Sequence, residues 1–177
     1  MRVLIVDDNP ADRALSRREV TRLNPDAEVL EADSPESFER ALATGVLDVA
    51  ILDYSLGWTN GMRLLARLRE RQPDTGAVLF TGSLGEEEAV EAVKGGFDDY
   101  VVKDAAKLPR LRASIESLVK RTAERRAARR TRERYRELFE FVTVGVFALP
   151  TFARGANSIT SAPSCAASMN SVQMRTG

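Results

Sequence analysis

The chain has no histidine and a single cysteine, Cys165, among its 177 residues. Without histidine there is no imidazole metal ligand, no histidine general base and no phosphohistidine. A lone cysteine excludes an intramolecular disulfide framework and a clustered thiolate metal site. No apolar run approaches the roughly 20 residues needed to cross a bilayer. The N-terminus opens on a strand-like run with no signal-peptide pattern, so a cytoplasmic protein with no membrane partner is expected. Net charge is also missing, since Lys and Arg number 26 and Asp and Glu 26, but the balance is uneven. Residues 1–119 carry 22 acidic and 15 basic groups, a net of −7, and residues 120–137 carry nine basic and three acidic, a net of +6. An acidic domain is followed by a basic segment.

What is present is an alternation of short apolar runs with longer amphipathic ones. Runs near residues 2–7, Glu28 to Ala32, Val49 to Asp53, Ala77 to Thr81 and Tyr100 to Lys103 read as strands. Pro10 to Leu23 reads as a helix with Asn9 as cap and Pro10 at its first position. Ser34-Pro35-Glu36-Ser37 opens a second, which stops at Gly45; a third follows Asn60-Gly61 and stops at Gln72-Pro73. A fourth covers about Glu86 to Lys94 before Gly95-Gly96, and a fifth begins near Ala106 with Leu108, Leu111, Ile115 and Leu118 on one stripe. Five βα units predict an α/β domain with a doubly wound parallel sheet.

The fifth helix has no stop signal: Lys120 to Glu137 contains neither Gly nor Pro. One long helix projecting from the domain is expected, with pairing to a second copy through it. Val144 to Leu149 reads as a strand, and residues 153–177, rich in Ser, Ala, Asn, Thr and Gly, as disordered. The division is 1–120 domain, 121–142 basic helical linker and 143–177 remainder.

Three aspartates, a lysine and a threonine fall at strand ends, where an open parallel sheet forms its crevice. Asp7 and Asp8 end the first strand, Asp53 the third, Thr81 the fourth and Lys103 the fifth. Adjacent carboxylates repel unless a cation compensates. Mg²⁺ fits, being hard, oxygen-seeking and usually held by one or two carboxylates with substrate phosphate. Asp53 ends the most hydrophobic strand, which makes it the candidate nucleophile and phosphoryl acceptor. Thr81 offers a hydroxyl to a phosphoryl oxygen, with Gly82 leaving room beside it, and Lys103 supplies an ammonium. A carboxylate acceptor also suits a chain without histidine, whose phosphoryl donor must be external.

With these motifs, residues 1–120 resemble the receiver domain of two-component response regulators. Val3-Leu4-Ile5-Val6-Asp7-Asp8-Asn9, Leu52-Asp53-Tyr54 with Asn60-Gly61, Phe80-Thr81-Gly82 and Gly96-Phe97-Asp98-Asp99-Tyr100-Val101-Val102-Lys103 carry the likeness. The resemblance implies a flavodoxin-like sheet of order 2-1-3-4-5. It implies Mg²⁺ on Asp7, Asp8, Asp53 and the Tyr54 carbonyl, and phosphorylation of Asp53 by a histidine kinase or histidine phosphotransfer protein. Thr81 and Tyr100 become a switch pair, and the face of helix 4, strand 5 and helix 5 a homodimer surface. The domain catalyses only its own phosphorylation and hydrolysis and is no enzyme toward a separate substrate. From Arg134 the sequence also resembles the opening helix and first strand of a truncated PAS domain.

There are departures from the receiver pattern. Asp104 follows Lys103 where proline is usual, predicting a differently shaped 103–106 loop. Gly57 stands where proline is frequent, predicting a freer loop that exposes Trp58 to a partner. Rival readings are an Asp-nucleophile hydrolase, which lacks a substrate-covering cap, and a nucleotide binder, which lacks a glycine-rich phosphate loop. A nucleic-acid binder would use the arginine run but has no helix-turn-helix. A phosphorylation-independent adaptor or interaction module of a larger sensory protein is the remaining alternative.

Overall fold

The computed structural model describes the backbone of residues 1–82 and 86–146, with side chains through residue 82 and over 89–136. Its central sheet contains β1 (Arg2–Val6), β2 (Glu28–Ala32), β3 (Val49–Leu52), β4 (Gly76–Thr81) and β5 (Asp99–Val102). All pairings are parallel and the order is β2-β1-β3-β4-β5. Between the strands lie α1 (Pro10–Leu23), α2 (Pro35–Ala43), α3 (Gly61–Arg71) and α4 (Glu86–Lys94). A 3-10 turn, Ala105–Lys107, then leads into α5 (Leu108–Val146).

Side chains of a strand alternate between faces, and the sequence supplies apolar residues to both. Leu4, Val6, Ala50, Leu52 and Leu79 face one side, where Phe38 and Leu42 of α2 and Leu64, Leu65 and Leu68 of α3 cover them. Val3, Ile5, Val49, Ile51, Val78 and Phe80 face the other, under Val20 of α1 and Leu111, Ile115 and Leu118 of α5. Each such fully buried side chain contributes about 1.5–3 kcal/mol. Helix starts follow their caps. The Asn9 side chain accepts from Ala11 N, Ser34 and Ser37 form a reciprocal capping box, and Asn60 accepts from Arg63 N.

One sequence expectation changes beyond α5's start. Val144, Gly145 and Val146 are the last residues of α5, where a strand was expected; backbone hydrogen bonding from a long uninterrupted helix carries through them. Residues 147–149 and the tail over 153–177 lie outside the described residues. The chain divides into two units, Met1–Leu138 and Phe139–Gly177; in the second the described residues, 139–146, are helical. In the first unit the basic segment is fastened to the domain. Arg125 bonds Asp98 at 2.8 Å, Arg126 bonds Asp48 at 2.7 Å and Arg129 reaches Asp74 at 3.3 Å. Among the described residues, no helix is long and apolar enough to cross a membrane.

Candidate functional site

β1 and β3 are neighbours, with Val6 paired to Leu52, so the residue after each strand emerges at the same sheet edge. Those residues are Asp7, 2% exposed, and Asp53, also buried. Backbone bonds fix both: Asp53 N donates to the Val6 carbonyl at 2.9 Å, and Asp7 N to the Ala32 carbonyl at 3.1 Å. Asp8 is exposed, yet one oxygen from each of Asp7, Asp8 and Asp53 lies within 4.8 Å of the others. Such a set of hard oxygen donors fits a divalent cation of the magnesium type. Asp8 is held in place from the facing loop, because Gly57 N donates to its Oδ2 at 2.9 Å. Tyr54 N donates to Asp53 Oδ1 at 2.7 Å.

Lys103 reaches the same point from two strands away. Thr81 pairs with Val102, and Lys103 N donates to the Thr81 carbonyl at 2.7 Å, which launches the side chain over the Phe80 ring. Its Nζ lies 2.6 Å from Asp7 Oδ2, 2.9 Å from Asp53 Oδ2 and 3.0 Å from Asp12 Oδ2. Burial alone would lower the lysine pKa; the bonds to Asp7, Asp53 and Asp12 outweigh it and hold the ammonium above its ordinary range. For Asp7 burial wins: its carboxyl is raised despite the bonds from Lys103 and the Asn9 amide. Three carboxylates contact one ammonium and a fourth, Asp8, stands in the same cluster, an excess of negative charge that a metal ion would relieve.

Thr81 is buried at the end of β4, between the Asp53 and Lys103 strands. Gly82 beside it has open space where a side chain would stand. Tyr100 is half-buried on β5 with the Arg110 guanidinium 5.9 Å from its ring. The Tyr54 carbonyl accepts Gly61 N at 2.8 Å. That bond closes the loop and uses one of the carbonyl's two lone pairs, while the three carboxylates carry the case for a metal.

Two loops differ from expectation. Ser55–Leu56 and Thr59–Asn60 pair as a short antiparallel hairpin, so the loop is ordered where a freer one was expected. Its turn lays Trp58 half-buried against the core beside Leu56, correcting the expectation of an exposed ring. Burying a large aromatic surface outweighs leaving it in water. After Lys103, Asp104 caps the 3-10 turn, its side chain accepting Ala106 N at 2.9 Å. Sequence reasoning missed two participants, Asp12 and the Gly57 amide. Asp12 stands five residues past Asp7 in the first turn of α1, a spacing that places it above the crevice; an amide leaves no sequence signal.

The family model described as response regulator receiver domain matches residues 3–116. The chain belongs to the response regulator receiver family. Among relatives, a "Chemotaxis protein CheY homolog" of Campylobacter jejuni is 30% identical over 106 residues, 58% of this chain and 81% of that protein. The crystal structure of an adenylate cyclase from Rhodopirellula baltica matches with a TM-score of 0.66 at 20% identity, covering 75% of this chain and 96% of that one. At that identity the likeness speaks for the fold. A response regulator from Burkholderia pseudomallei, solved with a phosphorylated aspartic acid, calcium ion and citrate, matches with a TM-score of 0.58 at 25% identity, covering 72% of this chain and 74% of that one. As a receiver domain the chain undergoes its own phosphorylation and dephosphorylation. Its Asp7, Asp8 and Asp53 cluster suits divalent-metal-dependent phosphorylation.

Proposed function

We propose that this receiver domain is a cytoplasmic phosphorelay switch that takes a phosphoryl group on Asp53 from a histidine kinase or histidine phosphotransfer protein. The observation that carries this reading is the convergence of Asp7, Asp8 and Asp53 within 4.8 Å, with Lys103 Nζ 2.9 Å from Asp53 Oδ2. An Asp53 oxygen forms the new bond to phosphorus as the bond to the donor imidazole nitrogen breaks. The imidazole departs with the electron pair and takes a proton from water. Bound Mg²⁺ would supply charge neutralisation and in-line positioning. Lys103 and the Thr81 hydroxyl then bond phosphoryl oxygens. The phosphorylated aspartic acid and calcium of the Burkholderia protein support the same arrangement here.

Thr81 drawn toward the phosphoryl group frees space for the Tyr100 ring, and the change passes to the face of α4, β5 and α5. Val90 and Val93, 52% and 49% exposed, stand on that face beside Tyr100 and suit a homodimer contact. Nucleic acid is not part of this reading, because Arg125, Arg126 and Arg129 are engaged with aspartates. The PAS likeness from Arg134 and the division at residues 120 and 142 stay readings of the sequence alone.

The test is acyl-phosphate formation from acetyl phosphate with Mg²⁺, detected on labelled protein and by fluorescence of the sole tryptophan, Trp58. Wild type is expected to label and Asp53→Asn to lose all label. Chelation of the metal is expected to abolish labelling as well. A wild type that takes no phosphoryl group from acetyl phosphate or several phosphohistidine donors leaves the adaptor reading in its place.

A further inference from the structure

We infer that Asp12 is a positioning residue that holds Lys103 in the unphosphorylated state and sets how readily Asp53 is phosphorylated. The inference rests on the phosphoryl-acceptor reading of Asp53. An ammonium has three N–H donors. In Lys103 all three have a carboxylate in reach: Asp7 at 2.6 Å, Asp53 at 2.9 Å and Asp12 at 3.0 Å. The lysine side chain is only 8% exposed, so water has little access to substitute for any of them. A phosphoryl group arriving on Asp53 therefore finds no unoccupied donor on Lys103. One existing bond must be surrendered.

Which bond yields follows from burial. Asp7 is almost wholly enclosed, so without a metal ion the loss of its lysine partner would strand a buried carboxylate. Asp53 carries the incoming group and stays beside the ammonium. The Asp12 side chain is 26% exposed on the first turn of α1, and the Asn9 side-chain amide also donates to its Oδ2 at 3.2 Å. Released from Lys103, it keeps one hydrogen bond, gains water, and remains at the favourable N-terminal end of the helix dipole. Asp12 is thus the contact that opens at least cost. It also adds a negative charge near the point where phosphoryl anions approach, which opposes their entry. Both effects slow phosphorylation of the resting domain.

Substituting Asp12→Asn keeps size and a carbonyl oxygen while removing the charge that competes for the ammonium. In the full chain with saturating Mg²⁺, its phosphorylation rate by acetyl phosphate is expected to exceed wild type by about 3- to 10-fold. Asp12→Glu, which restores the carboxylate, is expected to bring the rate back toward wild type. A role limited to capping α1 would lower stability without raising the rate, and glutamate would not reverse a rate change. A second readout needs neither metal nor phosphoryl group. In the metal-free protein, the Lys103 ammonium protons are expected to exchange with water faster in Asp12→Asn than in wild type, by nuclear magnetic resonance. Labelling rates within about twofold of each other, or unchanged ammonium exchange, overturn the role of Asp12 while leaving Asp53 as acceptor. A wild type that accepts no phosphoryl group overturns the acceptor reading and takes this one with it.

Discussion

Asp98 sits at the opposite edge of the sheet from Asp53 and shows how a buried carboxylate is stabilised without a metal. Its Oδ1 accepts from Arg125 at 2.8 Å, and its Oδ2 from Ala77 N at 2.9 Å and Arg69 at 3.0 Å. Burial pushes its pKa up, but the guanidinium of Arg125, the Ala77 amide and Arg69 together hold it below the usual carboxylate range. A carboxyl lowered on folding contributes stability that is present above the unfolded value, near 3.8, and lost as pH falls through the folded one. Urea midpoints are therefore expected to fall as pH drops below about 4, and Asp98→Asn to flatten that dependence. Asp98→Ala, which strands Arg69 and Arg125, is expected to cost about 3 kcal/mol in urea unfolding. Gly61 makes a different point at the same scale. A Cβ there would lie 2.7 Å from the Asp53 carbonyl oxygen and 3.1 Å from Tyr54 Cα, both backbone. Gly61→Ala is expected to displace the main chain of Asp53, the proposed acceptor. Its labelling by acetyl phosphate should fall at least about tenfold, because small misplacements of a nucleophile are costly.

Helix α5 does two jobs along its length. Leu111, Ile115 and Leu118 bury its first turns against the sheet, where Leu118 Cβ lies 2.9 Å from where a Gly76 side chain would begin. Beyond residue 120 the apolar stripe thins, and arginines take over by bonding aspartates that precede three strands. Asp48 immediately precedes β3, Asp74 lies just before β4, and Asp98 immediately precedes β5. Arg126 also donates to the Leu47 carbonyl. Arg126→Ala is expected to lower stability by about 1–2 kcal/mol, a figure reduced for the partial exposure of both partners. The change should appear in urea unfolding and leave acetyl phosphate labelling of Asp53 in place. Within the basic stretch 120–137, three arginines thus meet acidic groups at the floor of the sheet.

At the scale of the first unit, the Asp7, Asp8 and Asp53 cluster and the Asp48, Asp74 and Asp98 anchors lie at opposite edges of one sheet, and α5 touches the second edge. A switch that repositions the α4–β5–α5 face would be read out as a change in association. Light scattering of the full chain with beryllofluoride and Mg²⁺ is expected to show a rise in mass or hydrodynamic radius. The rise should disappear in Asp53→Asn. Val93→Glu, which puts charge on the exposed apolar face without touching the pocket, is expected to abolish the rise while labelling continues.

The sequence alone was enough for the alternation of strands and helices, the two-sided apolar pattern of β3, and the placement of Asp7, Asp8, Asp53, Thr81 and Lys103 at strand ends. These features are local: periodicity, caps and breakers act within a few residues, and a parallel sheet sends its strand ends to one side. Tertiary structure alone decided that Asp12 joins Lys103, that the Gly57 amide holds Asp8, that Trp58 folds inward and that the arginines of α5 meet the floor of the sheet. Each of these depends on distances between segments far apart in the chain. Charge and hydropathy name the groups available for such contacts, but only packing settles which of them meet.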